Sequence, residues 1–185
     1  MSFATFRKWY SSKYLVLLGC AIPMTFACSS ARDYSGDGKL VDNGMFAATD
    51  RYVLELGSIS LKSPGRRTYR IENLPATPFV IGIDVQAPSS SFSVLEQKPI
   101  NASVSMSLVG MNGETVFTAA GPLPSWTWSI PSTGERAFIY KEGSQASSFT
   151  PQARTRYELV VEVLKPEHGN LKYDAMLKAK SGGWK

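Results

Sequence analysis

Between Ser103 and Gly110 the chain reads SVSMSLVG, with Val104, Met106 and Leu108 on one side of a two-residue repeat and three serines on the other. Alternate side chains share a face in an extended strand, so this spacing predicts a strand that is half buried in an antiparallel sheet. The repeat returns in RYVLELGSISLK from Arg51, in RRTYRIENL, in PFVIGIDV and in TRYELVVEVLK. In the last of these Tyr157, Leu159, Val161 and Val163 alternate with Glu158, Val160, Glu162 and Leu164. Shorter runs, SWTWSI, RAFIYK and LKYDAMLKA, complete the set.

Turn chemistry separates the runs. Asn112-Gly113 predicts a two-residue type I′ hairpin, which needs positive φ at both positions, leading to a strand from Thr115. Gly57-Ser58 marks a bulge where the apolar parity of the Arg51 run switches. No segment carries a helical period. About eight to ten short strands punctuated by Pro, Gly and Ser predict an all-β, antiparallel β-sandwich. Immunoglobulin-like and jelly-roll connectivities both fit that spacing.

The sandwich is expected over residues 45–185, and it has to stand on its core alone. No cysteine follows Cys28, so the domain has neither disulfides nor thiolate metal ligands. Ahead of it, Arg7, Lys8 and Lys13 precede the apolar run YLVLLGCAIPMTFAC, Tyr14 to Cys28, and no acidic residue occurs before Asp33. Basic, then apolar, then small is the order of an export signal. The run is shorter than the roughly 20 residues that span a bilayer and contains Pro23, which disfavours a transmembrane helix.

Met24-Thr25-Phe26-Ala27-Cys28 resembles the lipobox of bacterial lipoproteins, in which a small residue precedes the cysteine that is acylated and becomes the mature N-terminus. The resemblance implies cleavage after Ala27, a lipid on Cys28, and a signal peptide over residues 1–27. Thr25 and Phe26 depart from the family's usual Leu and small residue. LLGC, ending at Cys20, matches the motif better by letter but leaves too short an apolar core, so Cys28 is preferred. Ordinary cleavage near TFA without acylation is the alternative. Ser29 after the cysteine implies, by the same resemblance, the outer membrane. Residues 28–44, rich in Ser, Gly and Asp, are expected to form a flexible tether.

Charge narrows the choice of partners. The chain holds 20 Lys and Arg against 15 Asp and Glu, and the first 27 residues remove three of the positive charges and none of the negative. A mature protein so near neutrality, whose longest basic cluster is Arg66-Arg67 with Arg70, does not point to nucleic acid. Those arginines are expected to be solvated charge at a strand end.

Catalytic chemistry finds no constellation. His168, the single histidine, lies in the loop sequence KPEHGN with no sequence signal for an orienting partner or a nucleophile. Glu158 and Glu162 share a strand face and read as solvent-facing. Asp33, Asp37 and Asp42 do not complete a calcium loop. No metal, no cofactor and no enzymatic activity are expected. Trp126 and Trp128 share a strand face between Pro122, Pro124 and Pro131. They fit the core as large fillers; exposed, they would form a platform for a sugar or a partner protein. Expectation therefore falls on a membrane-anchored envelope binding module whose partner is another envelope protein, in an immunity or assembly role. The alternative is a carbohydrate-binding module using Trp126 and Trp128, with a glycan as ligand.

Overall fold

The computed structural model describes residues 33–44, 51–86, 100–129, 135–142, 145–170 and 173–182. The proposed signal, Cys20, Ala27 and Cys28 lie outside these residues, as does Trp184. In chain order the strands are β1 (Ser35–Gly36), β2 (Lys39–Asp42), β3 (Tyr52–Ser58), β4 (Gly65–Glu72), β5 (Phe79–Gln86), β6 (Ser103–Gly110) and β7 (Thr115–Pro122). They continue as β8 (Thr127–Ser129), β9 (Glu135–Ile139), β10 (Lys141–Glu142), β11 (Gln145–Ala146), β12 (Ser148–Phe149), β13 (Arg156–Lys165) and β14 (Asp174–Ser181).

Two antiparallel sheets form a sandwich. The first runs β1-β4-β13-β6-β7 and the second β2-β3-β14-β5-β9-β8, with β12 beside the start of β5. A small β10-β11 pair stands apart. The pairings nest: β3 with β14, β4 with β13, β5 with β9, β6 with β7. One long hairpin that turns at β6-β7 has thus been rolled so that successive rungs alternate between sheets, which is jelly-roll connectivity.

Alternation builds the core. Tyr157, Leu159, Val161 and Val163 of β13 meet Val104, Met106 and Leu108 of β6 in register and, with Tyr69 and Ile71 of β4, are buried against Leu54, Ile81, Ile83 and Leu177 of the facing sheet. The β3 bulge is present, with Leu177 opposite Gly57 and Lys178 opposite Glu55, so that Leu56 is the extra residue. Gly57 there has φ +108°, a value at which a side chain would be strained.

Two expectations are corrected. The β6-β7 hairpin forms, but as a three-residue loop: Gly113 N–H donates to Gly110 O at 3.0 Å, Gly110 N–H to Glu114 O at 2.9 Å, and only Gly113 of the loop has positive φ, +80°. A type I turn closed by a left-handed glycine supplies the strand twist with one unusual residue rather than two. The segment expected as a tether is part of the sandwich from Ser35 onward. Gly36 (φ +145°) and Gly38 (φ +81°) turn the chain from the edge of the first sheet to the edge of the second. A Cβ on either would press into a main-chain carbonyl, that of Arg70 for Gly36 and of Glu55 for Gly38. What reads as flexible SGDG is a sandwich corner whose close approach only glycine permits.

Candidate functional site: an open arginine-bearing edge

β4 is an edge strand for most of its length, because β1 pairs only with Glu72 and Ile71 before the chain leaves at the glycine corner. At the next position Asp37 takes over. Its Oδ2 accepts the Arg70 N–H at 2.6 Å and its own N–H donates to the Arg70 carbonyl at 2.7 Å. Arg70 therefore turns its main-chain polar groups away from β13. The β4-β13 register runs without a shift, so Thr68 and Arg66, two and four residues earlier, turn theirs the same way. Beyond Asp37 no described strand receives them, and Gly65, Arg66, Arg67 and Thr68 are all exposed.

The side chains along this edge are basic. Arg67 belongs to the inward-facing set of β4, yet its guanidinium reaches across the sandwich mouth, where Nη1 donates to Ser58 O at the end of β3, 2.8 Å away. An inward charge on an edge strand guards against uncontrolled sheet extension. Here it also fixes one guanidinium beside a cleft of about 150 Å³ lined by Ser60, Ser63, Arg66 and Arg67. Arg66 and Arg70 stand opposite Glu162 and Glu158 across β13, but among the described residues neither arginine forms an ion pair; Glu158 pairs with Arg156 at 3.2 Å instead. Three guanidinium groups thus border a strand with open hydrogen-bonding positions. From sequence these arginines read as solvated charge at a strand end, since edge status depends on where β1 departs and has no local signal.

The remaining sequence candidates are placed as follows. Trp126 is buried, 3% exposed, with its ring edge-on to Tyr140 at 5.6 Å between centroids. Among the described residues its Nε1 has no hydrogen-bond partner. A stacking platform that includes Trp126 would require that ring to leave the core. Trp128 occupies the register position opposite Phe138, and its side chain lies outside the described set. His168 is exposed in the β13-β14 loop. Among the described residues no group of three or more His, Cys, Asp or Glu could hold a metal ion, and no helix is long and apolar enough to cross a membrane.

The spacing did not reveal a charged pair on the outer face of the second sheet. Asp84, 3% exposed, receives Lys178 Nζ on Oδ2 at 2.7 Å, while Oδ1 has no hydrogen-bond partner among the described residues. One hydrogen-bonded ion pair in a buried setting holds β5 and β14 in register, since the two residues sit on adjacent strands near the rung Met176–Asp84. Tyr34 and Tyr173 have raised phenol pKa values. Burial is the main cause for both, seconded by Asp37 at Tyr34 and by Glu167 at Tyr173, which is pushed up to about 12.

No family model and no curated protein matches this chain. Among solved structures it is similar to the VP2 subviral particle of infectious bursal disease virus, at 15% identity over 80% of this chain and 44% of that one, with a TM-score of 0.19. The chain spans less than half of that protein, and a likeness of this size carries no argument.

Proposed function

We propose that the chain is a membrane-anchored envelope lipoprotein whose jelly-roll domain binds an acidic, extended segment of another envelope protein along the β4 edge. The observation that carries this reading is the juxtaposition of open main-chain groups at Arg66 and Thr68 with Arg66, Arg67 and Arg70. Strand addition supplies main-chain hydrogen bonds, and bordering side chains choose the sequence that is added. Guanidinium groups select carboxylates through paired N–H donors.

The anchor rests on the lipobox-like MTFAC. Acylation of Cys28 would leave seven residues before β1, a span of at most about 25 Å when extended. β4 runs from Glu72, beside β1, to Gly65 at the far end of the sheet, so the cleft between Ser60 and Arg67 would face away from the bilayer. Multiple acyl chains, as in bacterial lipoproteins, make such anchoring stable where one is marginal.

Two measurements test the reading. Intact mass and N-terminal analysis of wild type, Cys28→Ser and Cys20→Ser from a Gram-negative host should show acyl chains lost only in Cys28→Ser. A photoreactive residue at Thr68 should give a discrete protein adduct in cells, weakened by Arg66→Glu and absent with the probe at Thr118 on the opposite edge. Equal labelling at both positions, or none at Thr68, rejects the β4 edge. Rescue of cells that express one envelope-directed toxin would distinguish an immunity role from assembly.

A further inference from the structure

The strand registers place a second feature at the end where the chain enters. Gly36, Ile71, Tyr157 and Gly110 form one row across the first sheet, through the pairs Gly36–Ile71, Ile71–Tyr157 and Tyr157–Gly110. The next row outward holds Ser35, Glu72 and Arg156, and the β6-β7 loop, Met111 to Gly113, emerges beside it. The hairpin tip and the N-terminal entry therefore share one end of the sandwich.

That tip is apolar for an exposed turn. Met111 is 71% exposed and Val116, the extra residue of the β7 bulge, is 38% exposed. Val109, Gly110, Met111 and Gly113 line an open groove of about 410 Å³ with Arg156 and Glu158. Glu114, the acidic residue of the turn, is folded back: its Oε2 accepts the Asn112 N–H at 3.1 Å. Met111 thus leads the tip.

We infer that the Met111 hairpin tip is a membrane-interface contact, inserting its thioether side chain among lipid headgroups and holding the sandwich upright on its anchor. This rests on the lipoprotein reading. The bilayer is the occupant because of where the chain outside the described residues begins: only Ser29 to Asp33 stand between the lipidated cysteine and Tyr34. So short a tether makes the bilayer a high effective concentration of apolar surface for any side chain at that end. A single exposed methionine, too weak to bind a vesicle by itself, then suffices to set orientation. Arg156 lines the same groove, and its guanidinium, paired with Glu158 at 3.2 Å and exposed, is within the region that headgroup phosphates would occupy.

The test uses the full acylated chain. Acylation blocks the Cys28 sulfur, so Met111→Cys, with Cys20 lost in the signal, carries one free thiol for an environment-sensitive fluorophore. Ser63→Cys, exposed at the other end of β4, is the control. Each is reconstituted into phosphatidylethanolamine and phosphatidylglycerol vesicles with nitroxide-labelled lipid. Blue-shifted, quenched emission at Met111 with unquenched emission at Ser63 is expected. Quenching at neither position, in protein whose mass shows acyl chains, overturns the tip contact and leaves the anchor standing. Equal quenching at both means that the domain lies on its side and also overturns it. Protein without acyl chains removes the premise, and the inference falls with the lipoprotein reading.

Discussion

Asp37 holds Arg70 by both of the arginine's main-chain groups, accepting its N–H with Oδ2 at 2.6 Å and donating to its carbonyl at 2.7 Å. A side chain from a two-glycine corner thus does the work of one more rung of β-ladder. It ends the β1-β4 pairing while leaving Thr68 and Arg66 open.

Asp37→Ala removes the charged acceptor and frees the Arg70 N–H to solvent. A loss of roughly 1–2 kcal/mol in urea unfolding is expected, the range of a hydrogen bond to a charged group that is partly solvated. Asp37→Asn, which keeps an acceptor, should lose less than half of that. Faster amide exchange at Arg70 in the alanine variant alone would identify the site of the loss.

Lys178→Met leaves Asp84 buried without its cation. The expected cost is about 3–5 kcal/mol, because a carboxylate only 3% exposed would lose the cation that offsets its burial. Adding Asp84→Leu should restore most of the stability. A double variant no more stable than Lys178→Met would show that the two residues are not coupled.

Gly38→Ala forces a side chain into φ +81° with its Cβ against the Glu55 carbonyl, and should cost about 1–3 kcal/mol. Gly113→Ala, at φ +80° but facing open space, should cost only about 1 kcal/mol. Equal losses, measured by thermal unfolding, would mean that conformation matters and close approach does not.

Alkaline pH should weaken the fold through Tyr34 and Tyr173. Burial holds both phenols neutral in the folded state, so their folded pKa values lie above the unfolded value of 10. Their contribution is complete below pH 10 and is lost as pH rises towards and through about 12 for Tyr173, and later for Tyr34. Phenolate absorbance and circular dichroism, followed together, should change over a narrower and higher pH range in wild type than phenolate absorbance alone does in urea-unfolded chain. Tyr173→Phe should shift the loss of structure upward.

The alternation of Tyr157, Leu159, Val161 and Val163 was sufficient to locate β13 and its buried face, because period two depends only on neighbours in the chain. The hairpin at Asn112-Gly113 was legible for the same reason, although one left-handed glycine sufficed where the dipeptide suggested two. Connectivity was not legible: jelly-roll and immunoglobulin-like orders use the same strand lengths, and the pairing of β3 with β14 has no local trace. Ser35 to Asp42 read as tether because strands of two and four residues are too short to show a repeat. Arg66 and Arg70 carried no sign that their strand would be an edge, since that follows from β1 turning away at Gly36. The Asp84–Lys178 pair was hidden because its members lie 94 positions apart.

The nesting of β3 with β14 also orders events in time. β14 lies between β3 and β5 in the second sheet, so the interior of that sheet stays open until β14 has been made. Pairings of such long sequence separation form slowly, since loop closure must precede any contact that offsets it. An incomplete chain emerging from the ribosome therefore lacks the strand that joins β3 to β5. Closure of that sheet awaits Asp174 to Ser181, whose two edges receive partners made roughly ninety or more residues earlier.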